Sequence, residues 1–241
     1  MENSKFKELK DKSRGFTKLT PKEEKYLEAK KSKLEILEKE KEVNDLKSRF
    51  VSMASHEFRT PLSTILSSIS LLAKYTQTEE QAKRDKHIDR IKSSVKTLTD
   101  ILNEFLSLGK IEEGKIEIHI EKFNLKEFIE NIIYEMSILL KPGQSLVHEH
   151  EGDTQLNSDR NLLKHILINL ISNAIKFSPE KAPIVVKTQI DSNQTYISII
   201  DQGMGIPNED KVHLFERFFR ASNAINIQGT GLGLHIVGRY I

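Results

Sequence analysis

No cysteine occurs among the 241 residues, which excludes disulfides and thiolate metal sites and fits a reducing compartment. No apolar run approaches the ~20 residues that a membrane-spanning helix requires. The charged opening, residues 1–12, lacks the apolar stretch of a signal peptide. Neither sign of charge dominates: 37 Lys and Arg face 35 Asp and Glu, for a net charge of +2. That balance argues against a nucleic-acid binder, which concentrates a basic excess. The expectation is a soluble, cytoplasmic chain with no nucleic-acid partner and no membrane contact of its own. Membership of a larger membrane-bound parent stays open. Charged residues at 30 % and hydrophobic ones at 37 % suit modest cores, and the length suits one large or two ordinary domains.

Glycine is missing altogether from residues 20–75. A helix start precedes this stretch: Thr20 can cap, Pro21 suits the first helical position, and Glu23 completes a capping box. Residues 1–20 read as a flexible lead-in. Ile36, Val43 and Phe50 recur every seven residues, with Leu46 and Met53 between them, which is the spacing of a coiled-coil seam. Leu27 and Leu34 fall on another register, as at a stutter. The alternative is a solvated single helix, but one this long is poorly stabilised alone, so the seam predicts a dimer. A second helix is expected from about residue 79 to 108. Ile88, Ile91, Val95, Leu98, Ile101, Leu102, Phe105 and Leu108 would form one buried stripe along it. The short break at Thr76-Gln77-Thr78 joins the two as an antiparallel hairpin, and two hairpins make a four-helix bundle.

Gly109 and Gly114 then mark a domain boundary. Beyond it, residues 115–120 and 146–150 alternate like strands, and 125–140 and 160–177 are helical in pattern. Residues 182–190 and 194–201 read as a hairpin turning at Asp191-Ser192-Asn193. Helices and strands in this order predict an α/β sandwich with helices on one face of a mixed sheet.

Four clusters carry chemistry. In Ser55-His56-Glu57-Phe58-Arg59-Thr60-Pro61, proline removes the donor that the Glu57 carbonyl needs, which predicts a kink. Glu57 adjoins the histidine and Thr60 lies one turn beyond it on the same face. That is a phosphoryl-transfer surface, or else a kinked bundle helix with an incidental histidine. In the helix of residues 161–177, Asn169 and Asn173 are four apart and Lys176 three further, all on the polar face. Amide oxygens suit Mg²⁺ and the lysine suits phosphates; the plain alternative is a solvated face. Asp201-Gln202-Gly203-Met204-Gly205-Ile206-Pro207 ends an apolar strand. There Asp201 could accept from an exocyclic amine while Gly203 and Gly205 let backbone approach a planar base; alternatively it is a glycine-rich turn. Gly229-Thr230-Gly231-Leu232-Gly233-Leu234 opens a helical stretch with unhindered N–H groups suited to phosphate, though it is neither a Walker A loop nor a dinucleotide fingerprint.

The order of these clusters resembles one family. Residues 50–61 look like the phosphoacceptor box of bacterial sensor histidine kinases, and 169–177 resemble their asparagine box. Residues 201–207 resemble the first glycine box, 214–220 the phenylalanine box, and 229–234 the second glycine box. The resemblance implies a coiled-coil signalling helix over 21–49, a dimerisation and histidine phosphotransfer domain over 50–110, and an ATP-binding catalytic domain over 111–241. It implies autophosphorylation with ATP and Mg²⁺, then transfer to an aspartate on the receiver domain of a response regulator, within a homodimer. By match, His56 is the nucleophile, Glu57 its orienting or proton-accepting partner, and Thr60 a helper in regulator dephosphorylation. Asn169 holds Mg²⁺, Asn173 and Lys176 contact the nucleotide, and Asp201 reads adenine. Arg220 approaches the γ-phosphate, Gly229, Gly231 and Gly233 shape the lid, and residues 221–228 are mobile without nucleotide. Two departures from the family bear on this: the sequence stops at Ile241, where the family continues with further strands, and no sensor domain is recognisable. The competing readings are an ATPase clamp or chaperone on the same nucleotide fold, and a scaffold that only dimerises and docks a partner.

Overall fold

The computed structural model describes residues 20–191 and 194–241, apart from the side chains of Glu42 and Leu46. The expected lead-in through residue 19, the Ser192-Asn193 turn and the seam side chain of Leu46 therefore lie outside the described residues. Two compact units divide between Ser55 and His56.

Helix α1 (Pro21–Leu72) begins at the anticipated capping box. The Thr20 N–H donates to Glu23 Oε2 at 2.9 Å, and the Glu23 N–H reaches back to Thr20 Oγ1 at 3.4 Å. The helix continues across Pro61, although the Glu57 carbonyl lacks its usual donor there. In the first unit the seam residues Ile36, Val43 and Phe50 are exposed.

The second unit opens with a helical hairpin formed by the end of α1 and by α2 (Gln81–Glu112). Phe58 meets Phe105 edge-on, and Ser68 Oγ lies 3.4 Å from His87 Nδ1. These pairings climb one helix while descending the other, so the hairpin is antiparallel. Two expectations need correction. Helix α2 does not stop near Gly109 but runs to Glu112, because nothing crowds that glycine and one interior Gly costs only about 1 kcal/mol. It ends at Gly114, whose φ of +64° turns the chain. The stripe on α2 is not all buried either: Ile101 and Leu108 are, but Ile88, Val95 and Leu102 face outward at heptad spacing. One partner helix covers only part of so wide a stripe.

The α/β region follows. Strand β1 (Ile120–Asn124) begins only at the last residue of the expected 115–120; residues 115–119 pair with no strand among the described residues. Helix α3 is Leu125–Ser137, shorter than the expected 125–140. Then come β2 (Ser145–Gly152), β3 (Gln155–Asp159), α4 (Arg160–Phe177), β4 (Pro183–Ile190) and β5 (Thr195–Ile200). The final helix is α5 (Gly233–Tyr240). Strands β1 and β3 form an antiparallel ribbon, while β2 pairs parallel with β4 and β4 antiparallel with β5. That mixed sheet carries α3 and α4 on one face. Leu125, Ile129, Ile132, Leu167, Ile171, Ile184 and Val186 close the core between them, each fully buried side chain contributing about 1.5–3 kcal/mol.

Candidate functional site

Helix α4 is the spine of the site. Asp159 caps its start: Oδ1 accepts the Asn161 and Leu162 N–H groups at 2.9 Å each, and Oδ2 accepts the His119 N–H at 2.7 Å. These three donors, His119 foremost, hold the Asp159 carboxyl below the usual carboxylate range. With Leu167, Ile171, Ala174 and Ile175 buried in the core, the opposite face must look outward, and it lines a cleft of about 790 Å³.

Into this cleft the chain brings Asn169, Asn173 and Lys176 from α4, and Asp201, Gly203 and Gly205 from the turn after β5. Arg220, Gly229 and Gly231 come from the segment before α5, and Gly233 from its first position. His56, Glu57 and Thr60 are not among its lining residues. Asn169 Nδ2 donates to the His165 carbonyl at 3.0 Å, which points Oδ1 toward Gly233; a Cβ there would stand 2.7 Å from that oxygen. Gly231 is required by its backbone: φ is +69°, and a Cβ would lie 2.7 Å from the Phe219 carbonyl oxygen. It packs against Phe218, whose φ of +63° costs on the order of 1–3 kcal/mol. Asp201 Oδ1 accepts the Gly203 N–H at 2.7 Å, which tightens the turn.

The segment expected to be mobile is cross-tied. Arg220 Nη2 donates to the carbonyls of Ala224, Ile225 and Ile227. Asp210 Oδ2 accepts both the N–H and the hydroxyl of Ser222 at 2.8 Å, and Asn223 Nδ2 donates to the Gly205 carbonyl at 3.0 Å.

Glu104 of α2 also lines the cleft and accepts a hydrogen bond from the Thr230 hydroxyl. Burial pushes its carboxyl up, opposed by that bond and by the charge of Lys176. Burial in turn pushes Lys176 down, as does Arg220, while Glu104 and Glu57 oppose the shift. Below Glu104, Leu108 and Ile111 pack on Leu232 and Ile236, and Arg217 pairs with Glu112 at 2.5 Å. Sequence reading missed Glu104, Thr230 and Lys211 as lining residues. Thr230 at least stood inside a quoted glycine cluster.

On α1, His56 is exposed while Glu57 beside it is 3 % exposed, with His56 Nδ1 3.4 Å from Glu57 Oε1. Thr60 is exposed, and its carbonyl accepts from the Thr64 hydroxyl at 3.1 Å. Among the described residues no group of three or more His, Cys, Asp or Glu could hold a metal, and no helix is long and apolar enough to cross a membrane.

A cleft built on a helix beside a mixed sheet, joined to a helical hairpin carrying an exposed histidine, defines a class: a nucleotide-binding module with a phosphoacceptor module. Comparison with known proteins agrees. The His Kinase A (phospho-acceptor) domain matches residues 46–114, and the histidine kinase-, DNA gyrase B-, and HSP90-like ATPase matches residues 158–241. The sensor histidine kinase GacS of Pseudomonas protegens is 39 % identical over 210 residues, covering 83 % of this chain and 22 % of its own length. Full-length ShkA in complex with AMPPNP is 27 % identical with a TM-score of 0.54, covering 77 % of this chain and 39 % of that one. Histidine kinase ThkA in complex with response regulator protein TrrA shares the fold, at 24 % identity and a TM-score of 0.51 over 78 % of this chain and 55 % of that one. The chain belongs to the sensor histidine kinases. It spans between 15 % and 23 % of the length of three curated relatives it matches.

Proposed function

We propose that this chain is the catalytic core of a sensor histidine kinase, which transfers the γ-phosphoryl group of ATP to His56 and then to an aspartate of a response-regulator receiver domain. The observation that carries it is the convergence on one cleft of three separated polar segments, from α4, the Asp201 turn and the Gly229–Gly233 stretch, in a chain whose His56 lies in a phosphoacceptor match. The likeness to ShkA, seen with AMPPNP, and to ThkA, seen with a response regulator, supports the same reading.

In the cleft, Asp201 reads the adenine amine and Gly203 and Gly205 admit the ring. Asn173, Lys176 and Arg220 face the phosphates, with Gly229, Gly231 and Gly233 closing over them. Asn169 offers one hard amide oxygen, which fits Mg²⁺ only in company with nucleotide phosphates and water. When bound, Mg²⁺ supplies neutralisation of phosphate charge. His56 Nδ1 lies 3.4 Å from the buried Glu57 carboxylate, and the tautomer with its hydrogen on Nδ1 leaves the lone pair on Nε2. Nε2 attacks the γ-phosphorus, the bond to the β–γ bridging oxygen breaks, and ADP leaves with that electron pair. The Nδ1 proton passes to Glu57, leaving a neutral phosphoimidazole. Thr60, one turn away, serves regulator dephosphorylation. The division of labour is a signalling helix over 21–49, phosphotransfer over 50–110 and ATP binding over 111–241, on the cytoplasmic side. The outward residues Leu62, Leu66, Ile69, Val95 and Leu102 are covered by a second copy in a homodimer.

Incubation with γ-labelled ATP and Mg²⁺ tests the proposal. Label stable to alkali and labile to acid is expected, absent in His56→Gln, which still binds ATP. Label persisting on that variant would move the acceptor, with His87 and His165 next in line.

A further inference from the structure

The carbonyl end of α4 is held by side chains outside the cleft and outside every motif. The Ile175 carbonyl would ordinarily accept from the N–H of residue 179, but that residue is Pro179, which has none. Ile175 is buried, so its carbonyl needs another donor. Ser178, extended at φ −78° and ψ 147°, ends the helix and leaves the next carbonyls without helical partners too.

The loop between α3 and β2 provides the donors. Gln144, 8 % exposed, shares Nε2 among the carbonyls of Ile175 at 3.2 Å, Ser178 at 3.3 Å and Pro179 at 3.0 Å. Its Oε1 accepts the Lys141 N–H at 2.9 Å, which fixes the amide orientation. Lys141 Nζ donates to the carbonyls of Lys176 at 2.7 Å and Ser178 at 2.6 Å. A cation here also meets the negative end of the α4 dipole.

This clamp grips residue 176 itself. From the same Cα, the Lys176 side chain runs into the cleft, with Nζ 4.9 Å from the centre of the Phe177 ring. A Cβ on Gly229 would stand only 2.7 Å from that Nζ. The next carbonyl, of Phe177, backs onto the Asp201 turn, 3.2 Å from where a Cβ on Gly203 would stand. The phosphate-side lysine and the base-side wall thus hang from neighbouring peptides, and the peptide between them is held from behind.

We propose that Lys141, oriented by Gln144, is a positioning residue for the nucleotide: by holding the Lys176 carbonyl it aims the Lys176 ammonium at the phosphates. The inference rests on the cleft being the nucleotide site. Calorimetry with AMPPNP and magnesium on the whole chain tests both and separates them. An unmodified chain that does not bind refutes the nucleotide reading, and this inference with it. Given binding, Lys141→Met is expected to weaken it roughly five- to tenfold, while Lys141→Arg, which keeps a cationic donor, stays within about twofold. The discriminating arm is the double variant. In a Lys176→Ala background, Lys141→Met should add less than about a twofold loss, because the residue it aims is gone. Unchanged affinity in Lys141→Met, or an undiminished loss on top of Lys176→Ala, overturns the proposal while leaving the nucleotide reading intact. Should Lys141→Met not fold, Gln144→Met carries the same cycle, and the same two results overturn it.

Discussion

The α/β region and the helical hairpin dispose of their apolar residues differently. Leu125, Ile129, Leu167, Ile171, Ile184 and Val186 are sealed within one chain, between two helices and a sheet. On the hairpin, Leu66 is 68 % exposed, Leu62 54 % and Leu102 51 %, at spacings that repeat along the helices. The first region packs its core within itself; the second turns an apolar stripe outward. Apolar periodicity in a sequence therefore reports that a surface will be buried, but not by which chain.

The comparison breaks most sharply at the outward stripe. Leu66→Glu combined with Leu102→Glu would bury unpaired charges in any bundle, at several kcal/mol each. Light scattering at micromolar concentration should change from dimer to monomer, while nucleotide binding by the cleft persists. A monomeric unmodified chain would defeat the expectation. A smaller effect is expected inside the self-packed region, where Ile171→Ala should cost about 2–5 kcal/mol of stability. That loss should be read in denaturant midpoint, without altering assembly, and loss of the dimer in this variant would show that the two regions are not independent. The smallest effect is expected where they touch. Glu104→Gln keeps the shape and the Thr230 contact but removes a charge from the phosphate side of the cleft. Its affinity for Mg²⁺-AMPPNP should rise roughly three- to tenfold, about 1 kcal/mol; unchanged or weaker binding would mean that Glu104 does not oppose the nucleotide.

What could be read from the sequence follows from how local each signal is. Helix α4 spans the expected residues because its apolar stripe and its polar face agree over the same eighteen residues. The nine nucleotide residues and the one Mg²⁺ ligand expected from motifs all line one cleft, and apart from Arg220 they come from contiguous clusters rich in glycine or amide side chains. Glu104 was illegible: it stands in an ordinary charged helix, more than a hundred residues before the threonine it meets. Lys141 and Gln144 were equally silent, since their partners are backbone carbonyls that no sequence pattern displays. Residues 115–119 alternated like a strand yet join no ladder among the described residues, whereas the short strand Gln155–Asp159, never singled out, pairs fully with β1. Strand formation is decided by a partner, not by the segment alone.

Glu104 gives the cleft a resident competitor. Because it is fastened to α2, its carboxylate holds the Thr230 hydroxyl and acts on the charge of Lys176 at an effective concentration that no dilution changes. On the nucleotide reading proposed above, an incoming triphosphate would compete with that anion for Lys176, and the apparent affinity would be its intrinsic value scaled by the fraction of time the carboxylate stands aside. The helix that bears Glu104 packs against the one that bears His56, as the contact of Phe58 with Phe105 shows. A small rotation of α2 would then change nucleotide occupancy as surely as a change in ATP supply, with no atom that touches the nucleotide altered.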